Sequence, residues 1–209
     1  MPLTLTGAAG STINLGTNGS ITGLAVGGVP DGTVDADALA SNAVTSGKLA
    51  SGVGGKFASY AIIADVKADN ANAGTFTSGA YRTRDLNTEI ADADGIVSIS
   101  SNQFTLTAGS YFIKWRCPYY NIGYSKSRLA NTTDTSYVNG EASYGRAGPT
   151  YQAGYVAGQG RVTISGTKVY EIQHICDTTQ SGSGFGLDYA HTGNATEAIY
   201  TTVEIFKEA

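Results

Sequence analysis

The chain holds few residues that could carry out metal-assisted or hydrolytic chemistry, and its only histidines are His174 and His191. A zinc site takes three or four nitrogen or sulfur ligands at characteristic spacings. The sequence contains no CxxC, HxH or HExxH motif, and no GxSxG, Walker or dinucleotide-binding loop. We therefore interpret both histidines as structural or surface residues. We interpret Gly158–Gly160 as a turn and not as a phosphate cradle, and we expect no metal and no cofactor.

Three aspartates, Asp65, Asp92 and Asp94, are the carboxylates that could supply an acid and a base for glycoside cleavage. Each lies in or near a predicted turn. Asp92 and Asp94 belong to the run Ala-Asp-Ala-Asp-Gly, whose composition is typical of turns, so solvated turn residues are the favoured interpretation for both. The alternative is that two of these carboxylates act as the acid and base of a glycoside-cleaving site. We predict no catalytic residue and no enzymatic activity.

Tyrosine is unusually frequent, with 13 copies, and several copies cluster beside glycine and asparagine. One group, Tyr119, Tyr120, Asn121 and Tyr124, follows a predicted central strand, and a second, Tyr144, Tyr151 and Tyr155, lies in a Gly-rich region. Tyrosine mixed with Gly, Ser and Asn is typical of adaptable binding surfaces, and sugar rings also stack on its ring. The alternative is that these rings fill the core or a subunit interface. We predict the first group as a surface or receptor contact, and the core alternative is favoured for Tyr119 alone.

Two cysteines, Cys117 and Cys176, are too few for a disulfide framework in a chain of this length. Cys117 continues the alternating apolar set Tyr111, Ile113 and Trp115, so its side chain is predicted to point inward. Buried free thiols are the favoured interpretation, since free cysteine is among the most buried residue types. Pairing of the two stays open.

The elements that must position these residues are predicted to be β-strands. Charged residues make up 14% of the chain, against about 25% in average proteins, and Gly, Thr, Ser and Tyr are abundant. Nine short runs bounded by turn residues are candidate strands: Tyr60–Lys67, Ile96–Ser100, Gln103–Thr107, Ser110–Tyr120, Thr150–Val156, Arg161–Ile164, Lys168–Cys176, Gly184–Tyr189 and Glu197–Lys207. This pattern predicts an all-β head, a sandwich or jelly roll, over residues 56–209.

Two of these strands carry apolar residues on both faces. In Ser110–Tyr120 the second face holds Phe112, Lys114 and Arg116. In the last strand Ile199, Thr201, Val203 and Ile205 are expected on one face, and Tyr200, Thr202, Glu204 and Phe206 on the other. A strand with one face in the core and a second face that is half apolar predicts a subunit interface on that second face.

Residues 1–55 have a different composition and contain no aromatic residue, so they are predicted to form an extended arm without a core of its own. Small apolar side chains recur in it at every fifth position: Leu24, Val29, Val34, Leu39, Val44 and Leu49. A five-residue step matches neither a helix stripe nor one face of a strand. We interpret these residues as anchoring contacts to a partner. Accidental spacing in a linker is the alternative.

The charge pattern excludes some partners. The net charge is −4, with no run of basic residues, so we expect no nucleic-acid partner. No apolar stretch approaches the ~20 residues of a membrane span, and the N-terminus lacks the basic and apolar regions of a secretory signal. We expect no membrane partner, and release from the producing cell by viral lysis instead of export.

The run Phe104–Ile113 resembles the jelly-roll heads of the tumour necrosis factor and complement type, in which an aromatic residue and a Gly-x-Tyr step precede a long central strand. The chain also ends on a predicted strand, as those heads do. The resemblance implies a jelly-roll β-sandwich that assembles as a homotrimer.

A second resemblance concerns tailed bacteriophages. Gly74–Thr88 is similar to a segment common in the heads of phage fibre and other virion proteins, especially of cyanophages. Leu24–Leu39 and Ala43–Ala50 resemble repeats of fibre stalks and arms. The resemblance implies a structural virion protein on the particle surface: a short fibre or spike whose arm binds capsid, tail or baseplate proteins and whose head adheres to the host, with surface glycans as a further partner. Alternatives are a capsid decoration or cement protein, a head fibre, a cytokine-like ligand and a polysaccharide-cleaving spike.

Overall fold

The computed structural model of the protein describes residues 56–144, 152–188 and 196–209. These residues contain no helix and form eleven strands: β1 Phe57–Ala68, β2 Arg82–Thr83, β3 Thr88–Ala91, β4 Val97–Ser100, β5 Gln103–Leu106, β6 Gly109–Tyr120, β7 Tyr124–Asn131, β8 Ser136–Tyr144, β9 Ala153–Ile164, β10 Lys168–Cys176 and β11 Glu197–Glu208. The predicted all-β class is confirmed. The six predicted anchoring residues of the arm, together with Tyr151 and His191, lie outside the described residues, and the boundary at residue 55 stays a prediction.

The strands pair in two antiparallel sheets. The five-stranded sheet has the order β3-β1-β11-β6-β9, and the six-stranded sheet has the order β4-β5-β10-β7-β8 with β2 paired to β10. From β5 onward every connection except the β7–β8 hairpin crosses from one sheet to the other, which is the connectivity of a jelly roll. The predicted jelly-roll sandwich is therefore confirmed by the pairing itself.

The core lies between the sheets and is built by alternation. Along β6, Tyr111, Ile113, Trp115 and Cys117 are all buried, because successive side chains of a strand point to opposite faces. The prediction that Cys117 points inward is confirmed. Cys176 is buried as well, and both thiols are free.

The predicted turn at Gly158–Gly160 is wrong. The separately predicted strands on either side of it are parts of one strand, β9, which pairs with β6 along its whole length. Gly158 lies opposite Trp115, and a Cβ there would overlap the indole ring; a Cβ on Gly160 would overlap Val138. These glycines therefore mark a close approach of side chains inside a strand.

Other strand predictions have mixed outcomes. β10 has the predicted bounds, whereas β7 and β8 were not predicted, because their Ser, Asn and Gly content gives little apolar signal. Residues 184–188 of the predicted strand Gly184–Tyr189 are not in a strand. Between β1 and β11 the register shifts, since Ala64 faces Thr202 but Val66 faces Ile199.

This β-bulge in β11 changes which side chains face the core. Tyr200 and Thr201 are both buried, while Ile199 is 55% exposed. The prediction that Ile199 shares the face of Val203 and Ile205 is therefore wrong, as is the placing of Tyr200 on the outer face. One extra residue on a strand reverses the alternation beyond it.

Candidate functional site

In the structure the members of the predicted contact group at the end of β6 differ in burial and role. Tyr119 continues the inward alternation of β6 and is buried, with its hydroxyl 2.8 Å from Ser143 Oγ. Its prediction as a surface contact is wrong, and the core alternative holds. Tyr120 is half-buried. Asn121 has a left-handed backbone (φ 54°), which asparagine tolerates better than most residues. Its backbone N–H donates to the Gln152 carbonyl at 2.8 Å, so Asn121 shapes the turn.

Tyr124, the last member of the group, lies on the surface. The residue is 62% exposed, and its ring packs against that of Tyr144, a residue 58% exposed, with 4.3 Å between centroids. The two residues face each other across β7 and β8. The Tyr124 N–H donates to Asp177 Oδ1 at 3.0 Å, which ties the start of β7 to the segment after β10. Tyr124 is the exposed member of the predicted contact group, and its ring partner Tyr144 comes from the second tyrosine group of the sequence.

A second aromatic cluster lies on the same outer face of the six-stranded sheet. The Arg128 guanidinium lies between the rings of Tyr81 and Tyr137, with its central carbon 3.7 Å from each ring centroid. Arg128 Nε also donates to Gln173 Oε1 at 2.7 Å. Sequence reasoning missed this cluster, because it becomes visible only when β7 and β8 are assigned as strands and residues 124, 126 and 128 fall on one face.

A polar network holds Arg128 in place. Gln173 Nε2 donates to Glu171 Oε1, and Gln103 Nε2 donates to the other oxygen of the same carboxylate at 2.9 Å. The network therefore runs from β7 across β10 to β5. We call the outer surface formed by Tyr81, Tyr124, Lys126, Arg128, Tyr137 and Tyr144 the tyrosine face. A groove of about 370 Å³ lies in it, lined by Tyr81, Tyr124, Ser125, Lys126, Ala142, Ser143, Ile175, Cys176 and Asp177.

The outer surface of the five-stranded sheet has a different chemistry. Tyr60, Phe206, Phe112 and Arg161 form a row across β1, β11, β6 and β9, each facing the next. The Phe57 ring lies 5.2 Å from that of Phe206 and 6.5 Å from that of Phe112. Tyr60 is 55% exposed and Phe57 42%. We call Phe57, Tyr60, Phe112 and Phe206 the phenylalanine face.

Ion pairs border the phenylalanine face. Lys114 Nζ lies 2.8 Å from Glu204 Oε2 in the next row, and Arg161 Nη2 lies 2.7 Å from Glu208 Oε2. The predicted mixed second face of β6, Phe112, Lys114 and Arg116, is therefore part of one continuous outer surface. The aromatic cluster on this surface is flanked by paired charges.

The buried ionisable groups are arranged for packing. Arg84 is fully buried: its Nε donates to Thr201 Oγ1 and its Nη2 to the Phe185 carbonyl, each at 2.7 Å. The His174 ring is buried with its centroid 4.7 Å from that of Phe76. Burial, and secondarily the charge of Arg84, holds the His174 pKa well below its usual value. Burial raises the pKa of Cys117 to about 11, so its thiol is not a ready nucleophile.

The candidate carboxylates are held in structural contacts. Asp65 does not lie in a turn, as predicted, but is buried in β1, where its Oδ1 is 3.0 Å from Lys67 Nζ. Burial raises its pKa, and Lys67 opposes that shift. Asp92 does lie at a turn, and its two oxygens accept the backbone N–H groups of Ile96 and Val97 at 2.8 and 3.0 Å. Asp94 lies in the same turn.

Neither a metal cluster nor a membrane-crossing helix is found in the part of the chain that the structure describes. No group of three or more His, Cys, Asp or Glu side chains is placed there to hold a metal ion. No helix there has the length and apolar character needed to cross a membrane.

Comparison with known proteins finds similarity of structure alone. No protein-family model matches the chain, and no curated protein matches it in sequence. Among solved structures, the globular domain of zebrafish complement 1qA is similar over 71% of this chain and 95% of its own, with 13% identity and a TM-score of 0.45. Murine APRIL at pH 5.0 is similar over 71% of this chain and 98% of its own, with 6% identity and a TM-score of 0.45.

Proposed function

We propose that the head is a non-enzymatic module that assembles as a homotrimer through the phenylalanine face. The observation that carries this proposal is the aromatic cluster of Phe57, Tyr60, Phe112 and Phe206 on one sheet surface, in which Phe57 and Tyr60 are exposed and the other two rings are half-buried. Large exposed apolar patches bordered by polar groups mark interaction sites, and copies around an axis cover such patches on every subunit at once.

A non-enzymatic role follows from how the reactive groups are used. Cys117, His174 and Asp65 are buried, and Asp92 holds a turn through both of its carboxylate oxygens. A hydrolytic site needs an acid and a base that reach one bound substrate. Among the described residues these candidates do not converge on an open cleft. The exposed surfaces instead carry the rings and ion pairs suited to contact with other molecules.

The finer proposal is a structural protein of a tailed bacteriophage particle. In it the arm, residues 1–55, anchors to capsid, tail or baseplate proteins, and the head projects from the virion surface as a short fibre or spike that adheres to the host. The support is the phage-like run Gly74–Thr88 and the five-residue spacing of small apolar residues in the arm. Three weak arms on one trimer would bind together, so avidity would replace single-site affinity.

The oligomer is tested by measuring the mass of the full chain by light scattering after size exclusion. We expect three times 21.5 kDa. The double variant Phe112→Glu and Phe206→Glu should give single chains, because it places charge in the apolar cluster that the subunits would share. Tyr124→Glu, on the opposite sheet, is the matched control and should stay trimeric. A wild type that elutes as a single chain would reject the trimer.

The virion role is tested by labelling intact phage particles with antibody fragments against residues 57–209 and viewing them by electron microscopy. Label at the tail supports the host-attachment fibre. Label spread over the capsid replaces it with a decoration protein or head fibre. Particles without label reject the virion role altogether.

A further inference from the structure

We propose that the tyrosine face of the six-stranded sheet binds an extended glycan chain. The proposal deepens the adhesive role proposed for the head and rests on it, naming both the surface and the class of ligand. A pyranose ring has an apolar C–H side that packs on an aromatic ring, and an edge of hydroxyls that hydrogen-bond to polar side chains. Tyrosine suits both needs, because it combines apolar area with a hydroxyl group.

The rings of the tyrosine face form two clusters along the strand direction. Tyr124 and Tyr144 face each other at one end, and at the other end Tyr137 faces Ala130, six residues farther along β7. Strands rise about 3.3 Å per residue, so the backbone positions of the two outermost tyrosines, Tyr124 and Tyr137, lie roughly 20 Å apart, and Tyr81 lines the groove between them. A ligand that touches both clusters is therefore a chain of several sugar units and not a single monosaccharide.

A groove with polar side chains lies between the two clusters. Lys126 faces the small side chain of Ala142, which leaves room above the sheet, and both line the groove of about 370 Å³. Lys126 is exposed and has no ion-pair partner within 4 Å among the described residues. The Asp177 carboxylate lines the same groove. Donors and acceptors thus lie next to the Tyr124 ring, where sugar hydroxyls would meet them.

The tyrosine face is pre-organised for binding. Arg128 is fixed between the rings of Tyr81 and Tyr137 and by the Gln173 hydrogen bond, and Glu171 and Gln103 hold Gln173 in turn. Side chains that are already ordered lose little rotamer entropy when a ligand binds. This order favours the binding of a flexible polar ligand, because the ligand already loses conformational entropy when it binds.

The contrast between the two outer faces favours a glycan over a second protein on the tyrosine face. Phenylalanine rings on the five-stranded sheet lie side by side and form a continuous apolar cluster. On the tyrosine face, in contrast, Lys126 and Arg128 follow Tyr124 along the outer side of β7, and Tyr144 and Tyr137 lie on the neighbouring strand β8. Protein interfaces are enriched in tyrosine and arginine but depleted of lysine, so the exposed Lys126 beside these rings is the feature of the tyrosine face that favours an amphipathic sugar.

The test uses the full-length trimer on an array of immobilised bacterial lipopolysaccharide O-chains and capsular polysaccharides. We expect the wild type to bind at least one polymer and the double variant Tyr124→Ala and Tyr144→Ala to lose about tenfold or more in affinity. The double variant Tyr124→Phe and Tyr144→Phe keeps both rings and should retain most of the binding. Tyr155→Ala removes a tyrosine of similar exposure, 50%, from the other sheet and is the matched control.

Several outcomes would overturn the proposal: no binding to any polysaccharide, unchanged affinity in the alanine variant, or an equal loss in Tyr155→Ala. Circular dichroism and the trimer mass of each variant separate lost binding from lost folding. Binding of the wild type to host cells separates the two proposals. If cell binding persists without the tyrosines, adhesion stands and this face is the wrong site; if the wild type does not bind cells, the adhesive role itself fails.

Discussion

At the scale of single residues, the contacts that leave the least space for a larger side chain are those in which a glycine faces a large ring. Gly158 lies under the Trp115 ring, and the Trp115 indole N–H donates to Ser127 Oγ at 2.9 Å. This hydrogen bond orients the ring, so the ring cannot move aside without losing it. The only tryptophan of the chain therefore depends on a glycine in the neighbouring strand.

Gly158→Ala should destabilise the head by about 1–3 kcal/mol, because the added methyl group overlaps the Trp115 ring in a packed core. Urea unfolding followed by tryptophan fluorescence measures the change. Gly166→Ala is the matched control, since a Cβ there meets no atom within 4 Å. Equal stability of the two variants would show that the ring has room to shift.

Stability should fall as the pH drops below 6.5, the ordinary pKa of histidine. The cause is His174, whose pKa burial holds well below that value in the folded state. Below pH 6.5 the unfolded chain takes up a proton that the folded chain does not, so stability declines by up to about 1.4 kcal/mol per pH unit until the folded pKa is reached.

The variant that tests this effect is His174→Phe, which keeps a ring beside Phe76 and removes the titrating group. Urea unfolding between pH 5 and 7 should then show a flatter pH dependence than the wild type. A slope that is the same in both proteins would assign the effect to other groups.

At the scale of elements, the bulge in β11 decides which surface each side chain of the last strand joins. The Tyr200 hydroxyl donates to the Ala71 carbonyl at 2.7 Å, which anchors the bulge to the segment after β1. Burial raises the pKa of Tyr200 to about 12, as expected for a phenol held neutral inside the sandwich.

Ile205→Ala should cost about 2–5 kcal/mol, because the side chain is fully buried in the core. Ile199→Ala should cost no more than about 0.5 kcal/mol, because the bulge turns this side chain outward. In a regular strand the two residues would share a face, so the pair of variants tests the bulge directly. Thermal unfolding at fixed protein concentration gives both values, and comparable losses would contradict the register shift.

At the scale of the whole molecule, the two outer faces of the sandwich divide the work that we propose for the head. One sheet surface carries contiguous phenylalanine rings for contact with other copies. The opposite sheet surface carries tyrosines together with Lys126 and Arg128 and stays open to a ligand. A trimer built in this way presents three identical binding faces, so a repetitive polysaccharide would be held with avidity.

Removal of Met1–Gly54 should leave a trimeric head that no longer joins phage particles, because the residues proposed to anchor are gone while the phenylalanine face remains. Light scattering measures the first property, and incorporation into particles grown with the truncated chain measures the second. A monomeric head would place the trimer contacts in the arm, and normal incorporation would reject the anchoring role.

Sequence by itself determined the class of fold and much of the core. Alternation along Ser110–Tyr120 is long and strongly apolar on one side, so it identified the buried face of β6, including the inward Cys117. The same alternation buries Tyr119, whose prediction as a surface contact was wrong. Lys168–Cys176 was bounded correctly because turn residues flank it. Such patterns are local, and local side-chain periodicity is what a single strand displays.

Only the tertiary structure decided where the polar strands lie and which residues meet across them. β7 and β8 carry little apolar signal, so the sandwich of Arg128 between Tyr81 and Tyr137 could not be predicted. Gly158 looked like a turn residue because its partner, Trp115, lies 43 positions away in sequence and next to it in space. The bulge at Ile199 likewise depends on pairing with β1. Sequence periodicity reports the face of one strand, whereas register, bulges and cross-strand pairs arise from contacts between distant segments.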